Sequence, residues 1–243
     1  MTSVFRARGV SVSFGGVRAV AGVDLEIESG ELVGLIGPNG AGKTTFIDAV
    51  TGFVRSEGSV ELGEIRLDGL APHVRARHGL ARTWQTVELF DDLTVRENLT
   101  VAAKGGKGAS VDEELKLLDL VAVADAMPWE LPQAERKRAG IGRALVAQPR
   151  LLCLDEPAAG LDVRQSEEFG ALLPGIARAG TAVLLVDHDM GLVLSVCDRV
   201  VVLESGSIIA QGTPAQIRGD ERVIAAYLGH ASAGTAGTAG APA

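Results

Sequence analysis

The sequence predicts an α/β fold: a parallel core sheet, a small antiparallel sheet drawn from the first third of the chain, and a mainly helical lobe inserted into the core. Three observations lead to it. Leu32-Val33-Gly34-Leu35-Ile36, Leu151-Leu152-Cys153-Leu154 and Ala182-Val183-Leu184-Leu185-Val186 are short unbroken apolar runs, the pattern of strands buried on both faces. The first run is followed at once by Gly37-Pro38-Asn39-Gly40-Ala41-Gly42-Lys43-Thr44-Thr45 and then by a helical pattern. Residues 4–67 outside that unit largely alternate apolar and polar side chains, the period of half-exposed antiparallel strands.

In chain order, Val4 to Val12 and Val17 to Ile27 alternate around the turn Phe14-Gly15-Gly16 and form an antiparallel pair. Ser29-Gly30-Glu31 turns into the strand Leu32 to Ile36, and Thr45 to Val50 opens a helix. Ser59 to Leu62 and Glu64 to Leu67, parted by Gly63 and closed by Asp68-Gly69, make a further strand pair. Leu80 to Thr86 reads as a short strand that carries Gln85. Arg96 to Ala102, Val111 to Val121 and Arg136 to Val146 carry helical patterns, the second with acids at its start, where they complement the helix dipole. Lys104 to Ala109 between them is a loop by composition, and the helical lobe spans about residues 88–147.

Beyond the strand at Leu151, Arg164 to Ile176 reads as a helix up to Pro174, and Gly191 to Cys197 as another. Arg199 to Leu203 and Ser207 to Ala210 form a hairpin through Glu204-Ser205-Gly206. Thr213-Pro214-Ala215-Gln216 starts a helix and Val223 to Leu228 makes the last one. The expected organisation is one domain over residues 1–229. Residues 230–243, rich in Ala and Gly, are expected to form a flexible tail.

At 243 residues the chain is long enough for a full hydrophobic core. A formal charge of −8 argues against binding along a nucleic-acid backbone, so nucleic acid is not an expected partner. Cys153 and Cys197 lie in apolar runs without ligand-spaced partners and are expected as buried free thiols. Met1 to Arg8 has no apolar stretch of the secretion-signal kind, and no segment offers the roughly 20 apolar residues that span a bilayer. The expectation is a soluble chain that reaches a membrane through a partner.

The loop from Gly37 to Thr44 fits G-x-x-x-x-G-K-[ST], a cradle for phosphate. Glycines at 37, 40 and 42 let the backbone curl so that successive N–H groups point inward, and the following helix adds its free amides and positive dipole end. Lys43 then reaches the outer phosphates and the Thr44 hydroxyl stands where Mg²⁺ needs an oxygen. The second pattern is Leu151 to Leu154 followed by Asp155-Glu156, which places two carboxylates at the carboxyl edge of the sheet, on the neighbouring core strand. Asp155 suits a Mg²⁺ ligand and Glu156 a base for an attacking water. A third strand end carries Asp187-His188-Asp189.

Taken together, Gly37 to Thr44, Gln85, Leu151 to Glu156, Asp162 and His188 resemble the ATP-binding cassette (ABC) ATPase subunits of membrane transporters, over nearly all of residues 1–229. Leu89 to Leu99, Gly212 to Ile217 and Val223 to Gly229 are most similar to the branched-chain amino acid importer ATPases. The resemblance implies a P-loop NTPase fold of the ABC ATPase type, with ATP and Mg²⁺ as ligands. It implies that Phe14 packs on the adenine ring and that Asn39, Gly40, Gly42, Lys43, Thr44 and Thr45 hold the phosphates. Thr44 and Asp155 would serve the metal, Gln85 would touch Mg²⁺ or the attacking water and relay movement toward the helical lobe and the permease, Glu156 would be the catalytic base, His188 would contact the γ-phosphate, and Asp162 would cross a dimer interface.

The implied partners are a second ABC ATPase subunit, identical or paralogous, transmembrane permease subunits and, through them, a solute-binding protein. The implied place is the cytoplasm, peripheral on the inner face of the membrane. Two other classes use similar motifs. One is a soluble cassette ATPase acting in translation or DNA repair, whose usual second cassette or coiled-coil insertion is not seen here. The other is a regulatory cassette that binds ATP with little turnover.

One region departs from the family pattern. Where relatives begin a helix with Leu-Ser-Gly-Gly-Gln, which meets the γ-phosphate held by the opposite subunit, this chain has Leu131-Pro132-Gln133-Ala134-Glu135. Pro132 offers neither hydroxyl nor N–H, and Ala134 lacks the freedom of glycine. Losing one charge-assisted donor is worth about 1.5–3 kcal/mol, roughly 10- to 150-fold in the constant it controls. The expectation is that the site this subunit completes in its partner is impaired, while the site on its own Lys43, Asp155 and Glu156 can still hydrolyse if a partner gives an intact signature; in a homodimer both sites suffer. The stretch between Ala102 and Val111 is also shorter than in those importers, which implies a different surface toward the permease.

Overall fold

The computed structural model describes residues 3–84, 89–103 and 110–233. Two long strands, β1 (Ser3–Phe14) and β2 (Val17–Glu28), pair antiparallel, with Phe14 opposite Val17 at the turn. Next come β3 (Leu32–Ile36), α1 (Lys43–Thr51), β4 (Glu57–Leu62) and β5 (Ile65–Arg66). A six-residue helix, α2 (Pro72–Arg77), precedes β6 (Leu80–Arg82). In the sequence only Pro72 at the start and the basic Arg75 and Arg77 near the end mark α2, which has no side-chain cap. Its buried Arg75 reaches back to the Ala49 and Val50 carbonyls and satisfies the end of α1.

The lobe holds α3 (Val95–Ala102), α4 (Val111–Leu117), two 3₁₀ turns at Val121–Val123 and Pro128–Glu130, and α5 (Gln133–Leu145). The second half adds β7 (Leu151–Asp155), α6 (Val163–Gly170), α7 (Leu173–Arg178), β8 (Ala182–Val186), α8 (Met190–Val196), β9 (Arg199–Glu204), β10 (Ser207–Gly212), α9 (Pro214–Arg218) and α10 (Glu221–Ala233).

The strands make two sheets, a four-stranded one in the order β2-β1-β4-β5 and a six-stranded one in the order β10-β9-β3-β8-β7-β6. Strands β9, β3, β8, β7 and β6 run parallel and β10 closes the edge antiparallel. Alternate residues of these strands feed two cores. Val33, Leu35, Leu151, Cys153, Leu184 and Val201 pack with α1 and the antiparallel sheet. Leu32, Ile36, Leu152, Leu154, Val183 and Val202 pack with the lobe and α6 to α8. Period-two alternation therefore decides which half of the molecule each strand residue meets.

Several expectations are corrected. The helix expected to reach Val121 stops at Leu117, because Asp119 takes a left-handed conformation, φ 55°, and the chain restarts as a 3₁₀ turn. Pro174 does not end a helix; it lies in the first turn of α7, where its missing N–H costs nothing. The strand expected to run to Thr86 ends at Arg82, while Gln85 and the loop 104–109 lie outside the described residues. The last helix, expected over Val223 to Leu228, runs as α10 from Glu221 to Ala233. The strand bearing the two acids is not adjacent to β3: β8 lies between them. Cys153 and Cys197 are buried free thiols as expected, and burial pushes both up to about 12.

Candidate nucleotide site

The loop between β3 and α1 has no room for side chains at Gly37 and Gly42, whereas Gly40 faces open space. A Cβ on Gly37 would stand 2.1 Å from the Leu203 carbonyl oxygen, and one on Gly42 would stand 2.3 Å from that of Ala19. Both glycines have positive φ, 154° and 101°, so backbone conformation and close approach demand glycine together. Ala19 belongs to β2, so the first hairpin leans on the phosphate loop and Leu203 of β9 supports it from the other side.

Lys43, at 7% exposure, folds back on the loop, its Nζ donating to the Gly37 carbonyl at 2.7 Å and the Pro38 carbonyl at 3.2 Å. Burial pushes its pKa down, opposed by the charges of Glu156, Asp155 and Asp187. Those three acids therefore share its field, although they come from the ends of two other strands. Thr44, Asn39 and Gly40 are exposed, and Thr45 is half-buried. Phe14 ends β1 with its ring half exposed, free to act as a stacking face on the hairpin that touches the loop.

Asp155 ends β7 at 7% exposure, and burial pushes its carboxyl up while Arg82 pulls it down. Arg82 Nη2 donates to Asp155 Oδ2 at 2.9 Å, and Nη1 donates to Asp48 of α1. Glu156 follows with φ 47°, its N–H donating to the Val186 carbonyl at 2.7 Å, which ties the acid to the end of β8. That hydrogen bond brings His188 close: His188 Nδ1 lies 3.7 Å from Glu156 Oε1 and 3.5 Å from Asp187 Oδ1. Asp187 is 1% exposed, burial raises its pKa, and its Oδ1 accepts from the Asp189 amide at 3.0 Å.

Thr44 and Asp155 offer a hydroxyl and a carboxylate. Among the described residues no group of three His, Cys, Asp or Glu could hold a metal by itself. That donor set fits Mg²⁺, which takes one or two protein oxygens and completes its shell from phosphate and water. The ion would supply charge neutralisation at the phosphates. Lys43 would add a point charge to the same oxygens, Glu156 would accept the proton of a water, and the partly exposed His188 would orient that water's target.

Asp162 is the N-cap of α6, its Oδ1 accepting from the Gln165 amide at 2.8 Å, and it is exposed. Pro132 is the N-cap of α5, with no side-chain capping bond, whereas α3, α6, α8 and α9 are capped by Thr94, Asp162, Asp189 and Thr213. The departure noted in the sequence thus leaves a helix start whose amides have no capping oxygen from position 132. Gln133 packs close to Gly160, where an added Cβ would meet its Nε2 at 2.8 Å. Arg82 and Asp48 escaped the sequence reading, and Asp187 was marked only as part of a strand end. Arg82 carried a usable signal, a charge closing an otherwise apolar strand.

The profile of the ABC transporter family matches residues 20–159. The chain belongs to the ABC transporter family. A second profile, the branched-chain amino acid ATP-binding cassette transporter, matches residues 207–233, from β10 through α10. The chain is 38% identical to the high-affinity branched-chain amino acid transport ATP-binding protein BraF of Pseudomonas aeruginosa, over 94% of this chain and 98% of that protein. It is 35% identical to the lipopolysaccharide export system ATP-binding protein LptB of Escherichia coli, over 92% and 96%. An ATP-binding cassette of an ABC transporter solved in its ADP conformation superposes with a TM-score of 0.83 at 27% identity, over 94% of this chain and all of that one. The ABC cassette architecture, a mixed core with an antiparallel sheet and a helical lobe, is therefore the fold, and the chain is an ATP-binding subunit of a family whose fold supports ATP hydrolysis.

Proposed function

We propose that this subunit hydrolyses ATP with Mg²⁺ at the inner face of a membrane to drive uptake of branched-chain amino acids through a separate permease. The observation that carries the hydrolytic part is the convergence of Lys43, Asp155, Glu156 and His188 from three strand ends on one loop. The solute class rests on the match of residues 207–233 and on BraF, whose identity exceeds that of the export protein LptB. No helix among the described residues is long and apolar enough to cross a membrane, which supports the reading that a separate chain forms the permease.

The half-exposed rings of Phe53 and Trp84 offer that permease a contact beside β6. Asp162 and the start of α5 would face a second cassette. That second cassette would be a paralogue with an intact signature, because Pro132 weakens what this chain gives its partner. Co-expression with the membrane subunits and the second cassette tests the proposal. Amino-acid-stimulated ATP turnover in the reconstituted complex, lost in Glu156→Gln, supports it. A complex that turns over ATP only with another solute class removes the substrate assignment. The uncapped helix start also favours a second reading, a nucleotide-sensing cassette, which would show ATP binding without Glu156-dependent turnover.

A further inference from the structure

Arg82 is buried, its side chain 5% exposed, and it touches three parts of the molecule at once. Nη2 meets Asp155 Oδ2, Nη1 meets Asp48 on α1, and the flat guanidinium lies over Trp84, its carbon 4.2 Å from the ring centroid. Phe53 stands edge-on to Trp84 at 4.9 Å between centroids, and 5.9 Å from Arg82. Both rings are about half exposed, 52% and 50%. Arg82 Nε is buried without a hydrogen-bond partner among the described residues. A guanidinium is a rigid plane, so it cannot follow one carboxylate without tilting the face it presents to Trp84.

We propose that Arg82 is a positioning residue that relays the state of Asp155 to the exposed Phe53–Trp84 pair. The inference rests on the ATP and Mg²⁺ reading above. Arg82 holds Asp155 Oδ2 at 2.9 Å and so competes with any cation for that carboxylate. When a divalent ion draws on Asp155, the fork gives up that bond, keeps Asp48, and its plane moves against Trp84. The coupling is reciprocal: whatever packs on Trp84 changes the affinity for the cation by the same factor. Asp48 is the anchor that lets Arg82 release Asp155 without becoming an unpaired buried charge.

The test uses the full chain with Trp129→Phe, which leaves Trp84 as the only tryptophan of the original two. Trp84 emission is followed as Mg²⁺ and ATP are added, and Mn²⁺ affinity in the presence of ATP is measured by electron paramagnetic resonance. In the parent, Mg²⁺ with ATP is expected to shift Trp84 emission beyond ATP alone. Arg82→Gln removes the competitor, so Mn²⁺ binds tighter, on the order of tenfold, and the Trp84 shift disappears. Asp48→Asn removes the anchor, so Arg82 turns wholly to Asp155 and Mn²⁺ binds weaker by a similar factor.

Opposite signs from two substitutions in the same buried triad are what a merely structural arginine would not give. Both variants moving Mn²⁺ affinity the same way, or a Trp84 shift that survives Arg82→Gln, overturns the relay. Should Arg82→Gln not fold, the Asp48→Asn arm and the parent's Trp84 response decide. A parent that binds ATP with no Mg²⁺-dependent Trp84 response overturns the relay and leaves the ATPase reading standing. A parent that binds no ATP overturns both.

Discussion

His188 Nδ1 stands 3.7 Å from Glu156 Oε1, across the ends of two adjacent parallel strands whose register the Glu156 amide locks by its bond to Val186. The proposed proton acceptor and phosphate contact are neighbouring side chains with different exposure, 26% for Glu156 and 59% for His188. Glu156→Gln keeps shape and loses the base. ATP turnover is expected to fall by about 10²- to 10⁴-fold while nucleotide binding persists. Comparable loss of both in a binding and turnover assay would remove Glu156 from the base role.

Lys43 spends its ammonium on the Gly37 and Pro38 carbonyls when no phosphate is present. Lys43→Ala removes both the anchor of the loop and the charge offered to phosphate. Affinity for Mg·ATP is expected to drop by roughly 10- to 100-fold in equilibrium dialysis, the size of one or two charge-assisted bonds. Parent-like affinity would mean that the loop holds something other than a triphosphate.

Pro132 gives α5 no capping oxygen. Replacing Pro132→Ser, Gln133→Gly and Ala134→Gly together restores a hydroxyl cap and two flexible amides. Steady-state turnover of the isolated protein is expected to rise by about tenfold or more, provided that it pairs with itself. No gain would show that the signature position does not limit the reaction.

Asp187 is held above the ordinary carboxylate range by burial, and its Oδ2 has no hydrogen-bond partner among the described residues. A folded-state pKa above the unfolded one makes the folded protein bind the proton more tightly. Stability from this group is therefore greatest at low pH and is lost as pH rises through the folded value. Asp187→Asn removes the charge at constant volume and is expected to stabilise the fold by about 1–2 kcal/mol at pH 7. Thermal unfolding at several pH values should show that advantage shrinking toward pH 4; an advantage that grows on acidification would reverse the sign of the argument.

The core strands were legible because strands buried on both faces leave an unbroken apolar run, as at Leu32 to Ile36 and Ala182 to Val186. Helix ends were less so. Asp119 stops α4 through a left-handed turn that its residue type permits but does not demand, and α2 exists because Arg75 closes the end of α1. That Lys43, Asp155 and Glu156 would meet at one loop was legible from motif chemistry. The place of Arg82 was not, since its meaning depends on Asp48 and Asp155 arriving from 34 and 73 residues away.

By itself the sequence determined the local parts: the glycine-bearing loop with Lys43 and Thr44, the acids after Leu154, the histidine after Val186 and the missing serine at Pro132. Such features live within a few residues of one another and are written in residue type and spacing. Only the tertiary structure decided that β8 separates the loop-bearing strand from the acid-bearing one, and that the hairpin of Phe14 leans on Gly42. It also decided that a buried arginine ties Asp155 to two surface rings. These depend on strand order and close packing, where the partner of a residue is set by the whole sheet and not by its neighbours in the chain.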